Sequence, residues 1–203
     1  MRTTRGVVTQ MFSLVALALI AFLITNVDDL VVLTAFCGHQ RYRLQEVLLG
    51  QYLGFGLLVG VSIVAGVGVA RMVESHVRWL GLLPIAVGVL WFLNTRARWG
   101  SARPRYQFGE ESTALGRAGV VAGIGLTNGA DNIAVYVPLF AILAPGQTMV
   151  VSAVFLLAAG LWVLFAQWVS ARPPLADRLS EYGDVILPLV LVGLGMAILG
   201  DVF

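Results

Sequence analysis

The chain has 203 residues, of which 59% are apolar and only 12% charged, and its mean hydropathy is +0.88. No soluble domain of this size can cover so much apolar surface, so the composition points to an all-α integral membrane protein and away from an aqueous enzyme. Thirteen basic residues, every one an arginine, face eleven acids for a formal net charge of +2. Without a basic face on a soluble domain, that balance gives no indication of nucleic-acid binding.

Six apolar stretches follow in chain order, at 7–35, 47–70, 79–93, 120–143, 149–169 and 185–203. Most approach the ~20 residues a spanning helix needs, and the third is shorter. The first follows Arg2 and Arg5 and contains Ala16-Leu17-Ala18, a nominal leader-cleavage site. Its apolar run continues well past that point, so a retained first span fits better than a cleaved leader. Arg2, Arg5, Arg71 and Arg78 lie at the N-terminus and after the second span. The first, third and fifth loops carry the other nine, among them Arg96, Arg98, Arg103, Arg105 and Arg117. Basic loops stay on the cytoplasmic side, so a multi-pass protein of the cell membrane with both termini outside is expected.

The connection across 95–117 contains Gly100, Pro104, Gly109 and Glu110-Glu111 besides its arginines, and reads as a solvated cytoplasmic linker. It separates a first three-span unit, 1–94, from a second, 118–203. The units echo one another. Thr25-Asn26-Val27-Asp28-Asp29 is matched by Thr127-Asn128-Gly129-Ala130-Asp131 at a shift of 102, and Leu82-Leu83-Pro84-Ile85 by Ile186-Leu187-Pro188-Leu189 at 104. Because three is odd, the second unit enters the membrane with opposite orientation, which predicts six transmembrane helices as two inverted three-helix repeats. In that architecture the substrate site lies near the midplane, where interrupted helices expose backbone groups. A one-residue gap would pair Asp28 with Asp131, Asp29 with Asn132 and Leu30 with Ile133 instead, and both registers are compatible with the sequence.

Asp28, Asp29 and Asp131 are the informative residues, since they sit inside apolar segments while nearly every other charge lies between them. A carboxylate within a span costs at least a few kcal/mol and therefore faces a cavity, a partner or an ion. Helical spacing puts Thr25 and Asn26 beside Asp29, and Thr127 and Asn128 beside Asp131. Gly129 weakens the fourth span and Pro138 removes a backbone donor from it, so a break there is expected. Asp28 and Asp29 are adjacent and diverge by about a hundred degrees, which leaves open which of them meets the ion. Carboxylate, amide and hydroxyl oxygens together suit a divalent cation, which would neutralise two of the acids. Asn132 is a further ligand or orienter, and Gln51 and Cys37 are secondary candidates. A lone thiol builds no thiolate cluster, and Tyr136 is expected to pack or to cap a cavity.

The segments Asn26-Val27-Asp28-Asp29-Leu30, Gly50-Gln51-Tyr52-Leu53-Gly54, Gly81-Leu82-Leu83-Pro84-Ile85, Gly129-Ala130-Asp131-Asn132-Ile133 and Val137-Pro138 resemble the cadmium resistance transporter family, of the lysine-exporter superfamily. The resemblance spans nearly the whole chain. It implies efflux of cadmium or a related divalent metal by exchange against protons or another cation gradient, with that ion and the lipid bilayer as partners. The metal is substrate, and no cofactor is implied. An all-oxygen site suits manganese, calcium or magnesium at least as well by ligand type. Export of amino acids or another small solute is the alternative within the superfamily. An intramembrane aspartyl protease would carry Gly-x-Gly-Asp, whereas Gly123-Ile124-Gly125 is followed by Leu126, so no enzyme is expected. The glycines of the second span permit close packing within one chain or between copies in a homo-oligomer.

Overall fold

In a computed structural model, described at residues 2–73 and 111–172 with isolated positions between 79 and 93 and between 192 and 199, every element at the first two segments is a helix. The expected spans at 79–93 and 185–203 therefore lie mostly outside the described residues. The helices are α1 (Arg2–Thr25), α2 (Val27–Gly38), α3 (Leu44–Val73), α4 (Ala114–Asn128), α5 (Ala130–Ile142) and α6 (Pro145–Ser170).

The first apolar stretch is not one rod. Asn26 sits at φ −115°, ψ 17°, and the chain bends by 62° between α1 and α2. An asparagine can hydrogen-bond nearby backbone in place of continuing a helix, and here its side-chain nitrogen donates to the Phe22 carbonyl at 2.8 Å. The fourth stretch is divided as anticipated, at Gly129, which closes α4 and opens α5. A Cβ on Gly129 would collide with the Leu58 side chain of α3, so close approach of α3 requires glycine there. Pro138 lies inside α5, where it cannot bond the carbonyl one turn back.

Among the described residues, α3 and α6 are long and apolar enough to cross a bilayer, and the bent α1–α2 pair makes a third candidate. At 30 and 26 residues they measure roughly 45 and 39 Å at ~1.5 Å per residue, against ~30 Å of hydrocarbon. Their outward faces carry Val64, Met149, Leu157 and Leu161, all exposed, which suits lipid.

The two long helices begin alike. Glu46 accepts the Arg43 N–H at 3.0 Å, and Gln147 accepts the Ala144 N–H at 2.9 Å, each satisfying a donor three residues back. At α4 the Thr113 hydroxyl accepts from Gly116 N at 3.0 Å. Helix α4 thus begins at Ala114, so Arg117 stands within its first turn and not in the linker that the sequence suggested.

α3 runs along α4 and α5, while α6 packs across α1, α2 and α3. The α3 contact is at backbone distance. A Cβ on Gly50 would lie 2.5 Å from the Ala118 carbonyl oxygen, and one on Gly66 2.8 Å from that of Val137. One apolar core gathers Phe22, Phe55, Tyr136, Phe140 and Phe155; a second gathers Leu30, Leu33, Phe36, Val47, Val121 and Val163.

Candidate substrate site between two helix breaks

Each break starts a half-helix whose first turn is acidic: Asp28 and Asp29 on α2, Asp131 on α5. The placement follows from the unsatisfied N–H groups and partial positive charge at a helix start, which favour a carboxylate. Asp131 answers one directly, its Oδ1 accepting the Asn132 N–H at 2.9 Å. Irregular backbone at membrane depth persists only when buried in protein or lining a cavity, and both Asn26 and Gly129 are buried.

A hydrogen-bond network ties the first break to α5 and α6. Thr25 Oγ1 lies 2.8 Å from the Tyr136 hydroxyl, and Asn26 Nδ2 lies 2.9 Å from that same oxygen. Asn26 Nδ2 also approaches Asn132 Oδ1 at 3.4 Å. From α6, Trp162 Nε1 donates to the Asn26 carbonyl at 2.7 Å. Four residues from three helices thus converge on one bend.

Asp29 and Asp131 are both buried, and Asn132 is 1% exposed. The Asn128 side chain lies beside the Asp29 carboxylate, so the end of α4 meets the start of α2. Asp29 feels the charges of both Asp28 and Asp131, and Asp131 feels that of Asp28. Among the described residues, no group of three or more His, Cys, Asp and Glu side chains converges closely enough to hold a metal ion. The three aspartates are electrostatic neighbours, then, and not a three-carboxylate cage. Any cation must be completed by neutral oxygens.

One neutral and one carboxylate oxygen are available. Asn26 Oδ1 and Asp29 Oδ1 are buried without a hydrogen-bond partner in the protein. Leaving such an acceptor unmet costs about 1–3 kcal/mol, more for a charged one. Asn26 and Asp29 are three residues apart, hence on one side of the bend. An oxygen set with carboxylate charge is chemistry suited to a divalent cation.

The structure thus brings together Thr25, Asn26, Asp29, Asn128, Asp131 and Asn132, with Asp28 half-buried at the margin. Thr127 does not join them: it is exposed and its hydroxyl bonds the Ile124 carbonyl at 2.8 Å. Cys37 packs at the edge of the second core, eight residues along α2 from Asp29, a rise of about 12 Å. It is not part of this oxygen set. Gln51 is buried on α3 with Nε2 unpartnered, and none of the site carboxylates bonds to it. Tyr136 does more than pack, and Trp162 of α6 anchors the break. The usable signal was the spacing of Tyr136 four residues after Asn132, one turn along the same face.

The breaks also bear on register. Asn26 and Gly129 are 103 residues apart, and the bonds that restart each half-helix, Leu30 N to Asn26 O and Ile133 N to Gly129 O, both 3.1 Å, share that offset. It is the alternative register, pairing Asp28 with Asp131 and Asp29 with Asn132.

Apolar helices of spanning length, interrupted beside buried carboxylates, mark a membrane transport protein. The chain belongs to the cadmium resistance transporter family, whose model matches residues 22–202. No curated protein and no solved structure matches it.

Proposed function

We propose that this protein exports a divalent metal ion, cadmium or a related cation, across the cell membrane in exchange for protons, by alternating access of two inverted three-helix repeats. The observation that carries the reading is the pair of buried oxygens without protein partners, Asn26 Oδ1 and Asp29 Oδ1, beside Asp131 where two interrupted helices meet. The shared 103-residue offset of the breaks supports the repeat, and the arginine distribution supports outward termini.

In this mechanism a dehydrated ion is held by Asp29 and Asp131, whose two negative charges balance it. Asn26 adds a neutral oxygen to the shell without adding charge. Asn128 keeps the Asp29 carboxylate turned toward the site. When the ion leaves, the neighbouring carboxylates Asp28, Asp29 and Asp131 repel one another, and taking up a proton relieves that repulsion. Exchange follows because the ion and the proton compete for one carboxylate. With no thiol in this oxygen set, manganese is expected to compete with cadmium.

Uptake into inside-out vesicles, with cadmium, zinc and manganese tested with and without a pH gradient, decides the reading. Metal uptake that depends on the gradient and disappears in Asp131→Asn supports it. Uptake indifferent to every ion gradient removes the exchange step, and uptake of amino acids in place of any metal removes the metal assignment.

A further inference from the structure

Which end of the Asn26 amide faces the carboxylates decides whether this residue attracts or repels a cation. The surrounding atoms determine the answer. Phe22 O can only accept, and the amide atom 2.8 Å from it must be the nitrogen. The Thr25 hydroxyl spends its hydrogen on the Ala21 carbonyl at 3.0 Å. In the 2.8 Å contact with Tyr136, Thr25 Oγ1 is therefore the acceptor, and the phenol donates. With its one hydrogen committed, Tyr136 Oη at 2.9 Å is the nearest acceptor for the second amide hydrogen of Asn26, which it shares with Thr25 Oγ1 at 3.0 Å and Asn132 Oδ1 at 3.4 Å. Both N–H bonds of the amide now point away from the side-chain oxygen, which is buried and has no partner in the protein.

We propose that Tyr136 is a positioning residue for transport: its hydroxyl, aimed by Thr25, holds the Asn26 nitrogen and thereby presents the Asn26 oxygen, beside Asp29, to a divalent cation. The ligand rests on the metal-transport reading above, whereas the hydrogen bonds that orient the amide do not. Trp162 steadies the same residue by its backbone, so the side chain cannot turn by shifting the bend. Removing the phenol oxygen takes away the nearest acceptor of that second hydrogen and loosens the hold on the amide, although Phe22 O and Thr25 Oγ1 remain.

The test is Tyr136→Phe in the full-length protein reconstituted in liposomes, with cadmium and manganese as probes. The ring is retained, and with it the packing on Phe155 at 4.4 Å and Phe55 at 6.1 Å between centroids. We expect KM for the metal to rise about tenfold, as loss of one bond of ordinary strength implies, with the maximal rate within about twofold of wild type. Phe155→Leu, which loosens the ring's packing and keeps the hydroxyl, should lower thermal stability without that rise in KM. A second readout needs no metal: with asparagine ¹⁵N-labelled, the Asn26 side-chain amide, assigned by its loss in Asn26→Ser, should exchange slowly in the wild type and quickly in Tyr136→Phe. Unchanged KM, or an amide indifferent to the substitution, overturns the proposal. Should Tyr136→Phe not fold, Thr25→Val removes the acceptor that aims the phenol and is expected to give the same rise. If the wild type moves no metal, the transport reading fails by itself, and the ligand role with it, while the amide exchange still decides whether Tyr136 holds Asn26.

Discussion

Arg117 grips Glu46 with two hydrogen bonds, Nε to Oε2 at 2.8 Å and Nη2 to Oε1 at 2.6 Å, and so fastens the first turn of α4 to the first turn of α3. Paired planar groups of this kind are geometrically specific and stronger than neutral hydrogen bonds. Val47, the residue after Glu46, and Val121, one turn beyond Arg117, contribute to the second core, and Cys37 packs at its edge. Glu46→Gln should therefore lower the thermal midpoint and raise the rate of Cys37 alkylation several-fold. Thiol labelling in detergent, with mass spectrometry of the alkylated peptide, checks this; an unchanged labelling rate would show that the ion pair does not hold these helices together.

Asp29→Asn and Asp131→Asn should each reduce metal transport by about a hundredfold or more, since each removes a charged ligand from a buried site. Asp28→Asn should reduce it by less than about tenfold, because Asp28 lies half-buried at the margin. Thermal stability should hold or rise in all three, as each substitution relieves repulsion among the carboxylates. Initial rates of uptake and a melting curve for each variant separate the two effects.

Gly50→Ala sets a Cβ against the Ala118 carbonyl oxygen, which belongs to backbone and cannot swing aside. A loss of about 1–3 kcal/mol of stability is expected from this overpacking. Gly56→Ala on the same helix meets nothing within 4 Å among the described residues and should be neutral or gain up to about 1 kcal/mol from helix propensity. Denaturation of the two variants side by side is the check.

Trp162→Phe deletes the donor to the Asn26 carbonyl and keeps an aromatic ring against Phe22, whose centroid is 5.7 Å away. The bend should lose about 1 kcal/mol, as for one ordinary hydrogen bond. Because that carbonyl still accepts Leu30 N at 3.1 Å, α2 should remain helical by circular dichroism.

Apolar length made α3 and α6 legible in the sequence, and six of the site residues followed from polar atoms placed inside such lengths. The break at Gly129 was legible too, from glycine and a downstream proline. The break at Asn26 was not. It falls within an unbroken apolar run, and its partners are Tyr136 and Trp162, more than a hundred residues away along the chain. Local spacing carries no trace of such bonds. Thr127 was expected beside Asp131 from helical spacing, but α4 ends at Asn128, and Thr127 is exposed with its hydroxyl on the Ile124 carbonyl. Arg117 was read as a linker charge because its pairing with Glu46 depends on how α3 and α4 cross.

Gln147 occupies at the start of α6 the place that Glu46 occupies at the start of α3, and in the inverted-repeat reading those two starts face opposite sides of the membrane. One carries a charge with an arginine clasped to it; the other is a neutral amide on an exposed turn. Parting α3 from α4 must break an ion pair, while among the described residues Gln147 takes part in none. On that reading the two halves would leave the membrane with a bolted door and an unbolted one.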